Sequence, residues 1–410
     1  SPDHFGDHSE QSLAAWNARV DAWIVALDEI DMAQLAGQPE AVTFAFARER
    51  LQALADLRVC RNERWKISPT WTGWQYMFGS TLAIQAIETD QDRQAALRRL
   101  ADIPRYLDTE IQNLRRGQAS GHIAAKSNVA AVLGKTRFLI DMPAEESPFF
   151  SPATRSGDEG FISAYRDIYE SQLLPAMVEY RDFLVNEYQG RDTIGVGANT
   201  DGHACYAASV RFWSTISMDP MDIHREGLEQ MERIQSEMLE IARNSFGTDD
   251  VKSLLEALRT KPEYTFKTEA EMLEYITAAV GRAEAAVGDW FGHVPEAEMI
   301  IRAAPAYDKD SGGGFYAAGS ADGSRPGIYL VGTYNPTGIS RADQEATAFH
   351  EAYPGHHLQG SVAIGNESLH PLLRFTFVSG SGEGWALYTE RLADEMGLYS
   401  DDVARLGMLS

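Results

Sequence analysis

The sequence predicts a mainly α-helical fold with a small β element, on three observations. Apolar residues recur every three or four positions over most of the chain, as Trp16, Val20 and Trp23 do in the first helical segment. One short run, residues 327–331, instead has the β-branched and aromatic composition of a strand. The 410 residues are 44% hydrophobic and 23% charged, proportions typical of a globular protein with two or three structural units.

The first predicted region, residues 1–150, is helical. Its apolar periodicity predicts helices over 11–35, 41–57 and 90–116. Residues 61–75 interrupt this pattern with three tryptophans and a proline, and we expect those aromatic side chains to pack in the interior. The proline-rich residues 141–160 are predicted to be a linker to the next region, because proline ends helices.

The second predicted region, residues 151–299, is helical as well. Asp219 and Pro220 are residue types preferred at the N-cap and the first position of a helix, which predicts a long helix from there to about residue 244. The other predicted elements are a helix over 161–188, a glycine-rich loop over 190–206 and two shorter helices within 252–291.

The third predicted region, residues 300–410, contains the strand and the residues with the clearest chemistry. Prolines on both sides of the strand over 327–331 predict that it lies at the edge of a sheet. Helical spacing resumes at Ser340, a candidate N-cap, and leads into a cluster of histidines. A glycine- and serine-rich stretch then precedes a further helix, whose first turn contains Glu383.

Charge and composition exclude several classes of partner. Lys and Arg number 36 and Asp and Glu 60, a net charge of −24 that repels nucleic acids and anionic membranes. No window approaches the roughly 18 consecutive apolar residues of a transmembrane helix. Cys60 and Cys205 are the only cysteines, so one disulfide bond is open to the chain but a disulfide framework is not. The compartment stays open on these grounds.

Three histidines lie in the run HEAYPGHH, which begins at His350. A His–Glu pair on a helix, followed one turn later by a second His, is typical of zinc hydrolases. The position one turn after His350 is Pro354, so the second ligand is either His356 or His357. Residues seven apart in an unbroken helix are separated by about 10.5 Å along its axis, too far for two zinc–nitrogen bonds of about 2.0–2.1 Å. A bulge or break at the Pro-Gly pair would bring His356 back to the ligand position.

A hydrolytic zinc site usually has three protein ligands and one open position. Glu383 is the candidate for the third ligand, since it lies far enough after His356 for a loop and a returning helix. Glu390, two helical turns further on the same face, is the alternative ligand or a hydrogen-bond partner of one. The sequence therefore predicts one Zn²⁺ ion per chain.

The motifs HEAYPGHHLQ and GEGWALYTERLADEMG resemble those of a large bacterial family, the domain of unknown function 885, and RPGIYLVGTYNP also matches its pattern. The resemblance implies a gluzincin-like zinc metallopeptidase. Its fold would be a large helical one with a deep cleft, similar to angiotensin-converting enzyme and the oligopeptidases. Family members continue past the GWALYTE helix, so we expect this chain to lack a C-terminal part that supplies the oxyanion-stabilising residue. The family also suggests a periplasmic or secreted protein, and a lipoprotein within that class, although a cytoplasmic one stays open.

Carried over residue by residue, the resemblance implies that His350, His356 and Glu383 are the metal ligands and Glu351 the general base. It favours His356 over His357 because Gly355-His356 aligns with the Gly-His pair of shorter motifs of this kind.

The predicted function is zinc-dependent hydrolysis of peptide bonds in small peptides. Glu351 would take a proton from the attacking water and pass it to the leaving amine. Tyr329 and the strand around it would align an extended substrate, and Arg325 would bind a substrate carboxylate. Two alternatives stay open, a zinc hydrolase of a non-peptide amide or ester and a non-catalytic metal- or peptide-binding protein.

Overall fold

The computed structural model describes residues 3–304 and 314–410. Most of the described residues are helical, and a three-stranded sheet is the β element. The predicted mainly α fold with a small β element is confirmed. Residues 305–313, which belong to the third predicted region, lie outside the described residues.

The chain divides into two compact units. Unit 1 consists of Ser1–Gln34 and Arg48–Phe212, and unit 2 of Leu35–Ala47 and Trp213–Ser410. This division differs from the three regions inferred from the sequence, 1–150, 151–299 and 300–410, which remain a prediction about the organisation of the chain.

Unit 1 is built from helices. They are α1 (Glu10–Asp28), α3 (Trp74–Ala83), α4 (Asp90–Ala119), α5 (Lys126–Asp141), α6 (Ser151–Thr154), α7 (Glu159–Ile168), α8 (Leu174–Asn186) and α9 (Gly202–Ser214), with α2 (Glu40–Asp56) shared between the units. Helix α4 begins with a capping box, in which Thr89 and Asp92 bond reciprocally to each other's backbone N–H. One π-helical turn, Tyr169–Leu173, joins α7 to α8.

The predicted linker over residues 141–160 is wrong, because this segment is part of the core of unit 1. Phe149 and Phe150 are fully buried among aromatic and aliphatic side chains from both earlier and later helices. The prolines do interrupt regular helix, but they do so in short helical turns that pack inward. Proline content alone does not distinguish a linker from a compact connection, since both avoid long helices.

The last residues of the predicted glycine-rich loop, 202–206, are also helical. Helix α9 begins at Gly202, where an added Cβ would lie 2.3 Å from the carbonyl oxygen of Val196. Glycine is therefore needed for close backbone approach at the start of a helix rather than for a loop. This helix brings Cys205 to Cys60, and the two form a disulfide bond within unit 1.

Unit 2 contains the remaining helices and the sheet. Its helices are α10 (Pro220–Phe246), α11 (Val251–Thr260), α12 (Glu269–Trp290), α13 (Ala342–Glu351), α14 (His356–Gly365), α15 (Pro371–Phe375), α16 (Ser379–Glu395) and α17 (Asp402–Leu409). The prediction for α10 is confirmed, with Asp219 as its N-cap and Pro220 as its first residue. The end of α10 lies two residues later than expected, at Phe246, where Gly247 has a left-handed conformation.

The sheet consists of β1 (Met299–Ala303), β2 (Gly314–Ala317) and β3 (Gly327–Val331), in the order β1-β3-β2. β3 is parallel to β1 and antiparallel to β2, so both of its edges are paired. The prediction that this strand lies at a sheet edge is therefore wrong. Pro326 and Pro336 lie outside the paired residues 327–331 and do not interrupt either ladder.

Among the residues that the structure describes, no helix combines the length and the apolar character needed to cross a membrane.

Candidate metal centre

His350 and Glu351 are the last two residues of α13, so the position of this helix end determines the position of both side chains. The helix starts at Ala342, whose backbone N–H donates to Oγ of Ser340 at 3.1 Å. Ser340 therefore satisfies one free N–H of the first turn, but the N-cap is Arg341, so the N-cap prediction was wrong by one residue. Buried apolar residues of α13, such as Phe349, pack into the core of unit 2 and hold the helix in place.

The chain breaks the helix between the two ligand candidates instead of widening one turn. After Glu351 it passes through Pro354 and Gly355, and a new helix, α14, begins at His356. An added Cβ at Gly355 would lie 1.8 Å from the carbonyl oxygen of His350 and 2.4 Å from that of Phe349. Only glycine allows the chain to fold back so closely on the end of α13.

Helix α16 holds this turn from the other side. The indole Nε1 of Trp385 donates to the carbonyl oxygen of Pro354 at 3.0 Å. The same helix bears Glu383 and Glu390, which are seven residues apart and lie on one face. The turn and both carboxylates are therefore positioned by one helix.

The side chains of His350, His356 and Glu383 converge. The Nε2 atoms of His350 and His356 lie 3.5 and 3.3 Å from Oε2 of Glu383, and the three ligand atoms are all within 4.8 Å of one another. Two ligands bound to zinc at about 2.0–2.1 Å with tetrahedral geometry are roughly 3.3 Å apart, so the distances from Glu383 to the two histidines fit a zinc ion. Two imidazoles and one carboxylate are also a donor set typical of zinc.

Glu390 contacts the other nitrogen of His350. The Nδ1 atom of His350 lies 2.8 Å from Oε1 of Glu390, and since a carboxylate only accepts, Nδ1 carries the proton. Nε2 of His350 is then left with its lone pair facing the cluster. Burial lowers the pKa of His350, but the hydrogen bond to Glu390 and the negative charges of Glu351, Glu390 and Glu383 outweigh it, and the pKa is raised overall. The sequence left two roles open for Glu390, metal ligand or hydrogen-bond partner of a ligand. In the structure its carboxylate lies at hydrogen-bond distance from His350, a ligand candidate.

His357 lies outside the cluster and has no free nitrogen. Its Nε2 donates to the carbonyl oxygen of Ala297 at 3.1 Å, so its Nδ1 accepts from the hydroxyl of Tyr316 at 2.9 Å. Its ring is also 1% exposed and packs edge-on against Tyr353. His357 connects β2 to α14 and does not face the other two imidazoles.

Glu351 lies beside the cluster in a nearly buried position. Burial, together with the negative charges of Glu383 and Glu390, raises the pKa of its carboxyl to about 7, while His350 and the backbone amide of Tyr316 act in the opposite direction. A divalent cation held by the neighbouring imidazoles would lower this pKa by direct charge interaction. The side chain thus has the position and the environment of a proton acceptor.

The family model described as "Bacterial protein of unknown function (DUF885)" matches residues 2–410 of the chain. The chain belongs to the DUF885 family. None of the curated proteins matches it significantly.

This DUF885 chain also resembles a solved structure, the crystal structure of the "putative lipoprotein" from Colwellia psychrerythraea. The similarity covers 100% of this chain and 74% of that one, with a TM-score of 0.84 and 20% sequence identity. At this identity the comparison establishes a shared fold.

Two residues expected to bind substrate have other surroundings in this DUF885 member. Tyr329 is fully buried on the central strand β3, so neither its side chain nor its paired backbone is available to an extended peptide. Arg325 lies in the exposed connection between β2 and β3, where its Nη1 donates to the carbonyl oxygen of Ala318 at 2.7 Å. A role for Arg325 in binding a substrate carboxylate remains a prediction.

Sequence reasoning missed Tyr316 and Trp385, which position the site. Trp385 lies within the GEGWALYTE motif, whose signal was assigned to the two glutamates, Glu383 and Glu390. Tyr316 gives no comparable signal, because its contacts with His357 and Glu351 depend on the pairing of β2 with β3.

Proposed function

We propose that this chain is a zinc-dependent hydrolase that cleaves peptide bonds in small peptides. The observation that carries the proposal is the convergence of His350, His356 and Glu383 beside the carboxyl of Glu351. Two imidazoles and a carboxylate leave one position of a tetrahedral zinc site open, which is the arrangement of hydrolytic rather than structural zinc.

A zinc ion bound by these three residues supplies Lewis acidity, which polarises a carbonyl group and makes a water molecule more acidic. Glu351 is the general base that removes a proton from the attacking water and later delivers it to the leaving amine. Glu390 holds the imidazole of His350 in one tautomer and orientation through the bond to Nδ1. Over half of the Glu383 side chain, 54%, is exposed, which leaves the cluster accessible from solvent.

The position of β2 favours a peptide over other amides and esters. β2 pairs with β3 on one side, and among the described residues its other edge has no partner strand. Its Tyr316 is the residue whose backbone amide interacts with Glu351. An extended peptide that adds to the free edge of β2 would therefore run past the general base. We therefore propose that β2 aligns the substrate, a role that the sequence analysis had assigned to β3.

The proposed compartment is an oxidising one, periplasmic or extracellular. The disulfide between Cys60 and Cys205 supports it, since such bonds are rare in reducing compartments. The solved neighbour described as a lipoprotein supports it as well.

Metal content tests whether the chain binds zinc at the histidine cluster. Elemental analysis of the purified protein and of His350→Ala is expected to give about one zinc per chain in the former and a large loss in the latter. His370→Ala is a matched control, because that histidine caps the short helix α15 and is not part of the cluster. A folded wild type that takes up no metal after zinc addition would refute the proposal.

Hydrolysis assays test whether the zinc-loaded protein cleaves peptide bonds. Zinc-loaded protein is expected to cleave members of a small-peptide library in preference to chromogenic esters and non-peptide amides. Cleavage of esters or other amides alone would favour the broader class of zinc hydrolase. Metal binding without turnover of any of these compounds would favour a binding protein.

A further inference from the structure

Unit 1 contains a pocket that the proposed hydrolysis does not use. Its volume is about 490 Å³, within the range of small-molecule sites. Its lining comes from His8, the tryptophan-rich connection over 61–75 and helices α1, α3, α4, α5 and α8. All of the lining residues belong to unit 1, so the pocket is formed within a single compact unit.

Two opposite charges line this pocket without contacting each other. Glu110 and Lys66 interact electrostatically, but in the described part of the chain neither forms a salt bridge. Burial raises the pKa of Glu110 to about 7, against the hydrogen bond from Tyr106 and the charge of Lys66. Burial likewise lowers the pKa of Lys66. Tyr106 is thus the hydrogen-bond partner of Glu110, and Lys66 is exposed, but among the described residues neither charge has an ion-pair partner within salt-bridge distance.

A buried hydrogen-bond donor at the same pocket also lacks an acceptor. Trp74 is 4% exposed, and within the described residues its indole Nε1 has no hydrogen-bond partner. The hydroxyl of Tyr180 lies nearby but outside hydrogen-bond geometry, with the two rings edge-on at 5.5 Å between centroids. Buried donors without an acceptor are rare in native proteins, which marks this N–H as one that a ligand can satisfy.

We infer that this pocket binds a small zwitterion of the α-amino acid class, either a free amino acid with an apolar side chain or a dipeptide. Its ammonium group pairs with the carboxylate of Glu110 and its carboxylate with the ammonium of Lys66 and the indole N–H of Trp74. A simple anion would be repelled by Glu110 and a simple cation by Lys66. A ligand with both charges matches both groups. The rings of Trp74, Tyr106 and Tyr180 supply apolar surface for the ligand's side chain.

The first arm of the test uses unaltered protein and three ligands in isothermal titration calorimetry. L-phenylalanine has both charges, L-phenylalaninamide lacks the carboxylate and N-acetyl-L-phenylalanine lacks the ammonium. We expect L-phenylalanine to bind at least about tenfold more tightly than either analogue, because each analogue loses one charge-assisted pair. Absence of binding at millimolar concentration, or equal binding of all three, would overturn the inference.

The second arm places the ligand in this pocket. Glu110→Gln and Lys66→Met are each expected to weaken binding of L-phenylalanine by about tenfold or more. Glu179→Gln and Lys135→Met, which change exposed residues of the same unit that do not line the pocket, are expected to leave it unaltered. Binding that survives both pocket variants would refute the assignment. If a pocket variant fails to fold by circular dichroism, the three-ligand comparison still decides.

His350→Ala separates this inference from the proposed hydrolysis. The pocket and the histidine cluster belong to different units, so binding is expected to persist in that variant. Loss of binding would place the ligand at the histidine cluster and overturn the assignment to unit 1. Binding of L-phenylalanine by a wild-type protein that hydrolyses none of the tested compounds would support the pocket and refute only the hydrolase.

Discussion

Nδ1 of His350 donates a hydrogen bond of 2.8 Å to Oε1 of Glu390, and this contact fixes which face of the imidazole is available to a metal. The histidine is the penultimate residue of α13 and the carboxylate belongs to α16, so the bond also ties the two helices together. Such outer partners typically change metal affinity when removed, although they never touch the ion.

Glu390→Gln is therefore expected to weaken zinc affinity by about 10- to 100-fold while leaving the fold intact. The amide keeps the size of the side chain but removes the charge that favours the Nε2 lone pair as ligand. Competition with a chromogenic chelator measures the affinity. Glu395→Gln, at the exposed end of the same helix, is the control. Equal affinities in the two variants would contradict a role for the His350–Glu390 bond.

Glu351→Gln is expected to retain about one zinc per chain and to lose hydrolytic activity by roughly 10²- to 10⁴-fold. The glutamine has nearly the same shape but cannot accept a proton from water. Elemental analysis and turnover of a cleaved peptide are measured on the same preparation. Unchanged turnover at full metal occupancy would remove Glu351 from the mechanism.

Gly355→Ala is expected to abolish metal binding and to destabilise the protein by about 3 kcal/mol or more. The new Cβ would overlap the carbonyl oxygens of His350 and Phe349, which are backbone atoms that cannot rotate away. Gly365→Ala is the matched control, because it lies at the end of α14 with no atom within 4 Å of the added Cβ. Thermal denaturation and zinc titration measure both effects. A Gly355→Ala protein with normal metal binding would mean that the tight turn is not required.

The free energy of unfolding is expected to fall less between about pH 5 and pH 8 in Glu110→Gln than in the wild-type protein. The pKa of Glu110 is raised from 4.5 to about 7 on folding, so the unfolded chain releases this proton first as pH rises. The free energy of unfolding then falls through this range, by at most about 3 kcal/mol for this one group. Urea denaturation of both proteins at the two pH values measures the difference. His8 lines the same pocket, but Glu110 is not among the groups that shift the pKa of His8, so the titration of His8 cancels between the two proteins. Parallel pH profiles would contradict the raised pKa.

Reduction of the Cys60–Cys205 bond is expected to lower the midpoint of thermal unfolding of unit 1. The bond links residues 145 apart in sequence, and the chain-entropy model assigns a loop of that length about 5 kcal/mol. The double variant Cys60→Ser, Cys205→Ser should unfold at the temperature of the reduced wild type. An unaltered midpoint after complete reduction would mean that the bond adds no stability.

The sequence alone was sufficient for the parts of the site that depend on local pattern. His350 with Glu351 follows from a helix ending in a His–Glu pair, and Glu383 with Glu390 follows from the seven-residue spacing on one face. The order of strands did not follow, since nothing within residues 327–331 tells whether one or both edges are paired. The burial of Tyr329 and the importance of Tyr316 both depend on that order. Phe149 and Phe150 likewise reveal their burial only through partners distant in sequence.

The pocket of unit 1 could not be predicted from the sequence either, because its lining residues come from segments distant in sequence. The tryptophans of residues 61–75 were expected in the interior, and Trp74 is buried while Trp71 is 64% exposed. No periodicity in that segment separates one tryptophan from the other. Only the surrounding helices determine that Trp74 lines the same pocket as Glu110 and Lys66.

The break at Pro354 and Gly355 has a consequence for the way candidate metal sites are recognised in genomes. A scan that requires two histidines four residues apart along one helix would pass over this chain, because its second helix starts afresh at His356. Two histidines on one helix and two histidines on consecutive helices can bring their imidazoles equally close together. A motif of fixed length does not detect the second case, because the inserted residues change the spacing. Surveys based on three-dimensional donor geometry would therefore find metal-site candidates that fixed-spacing surveys miss.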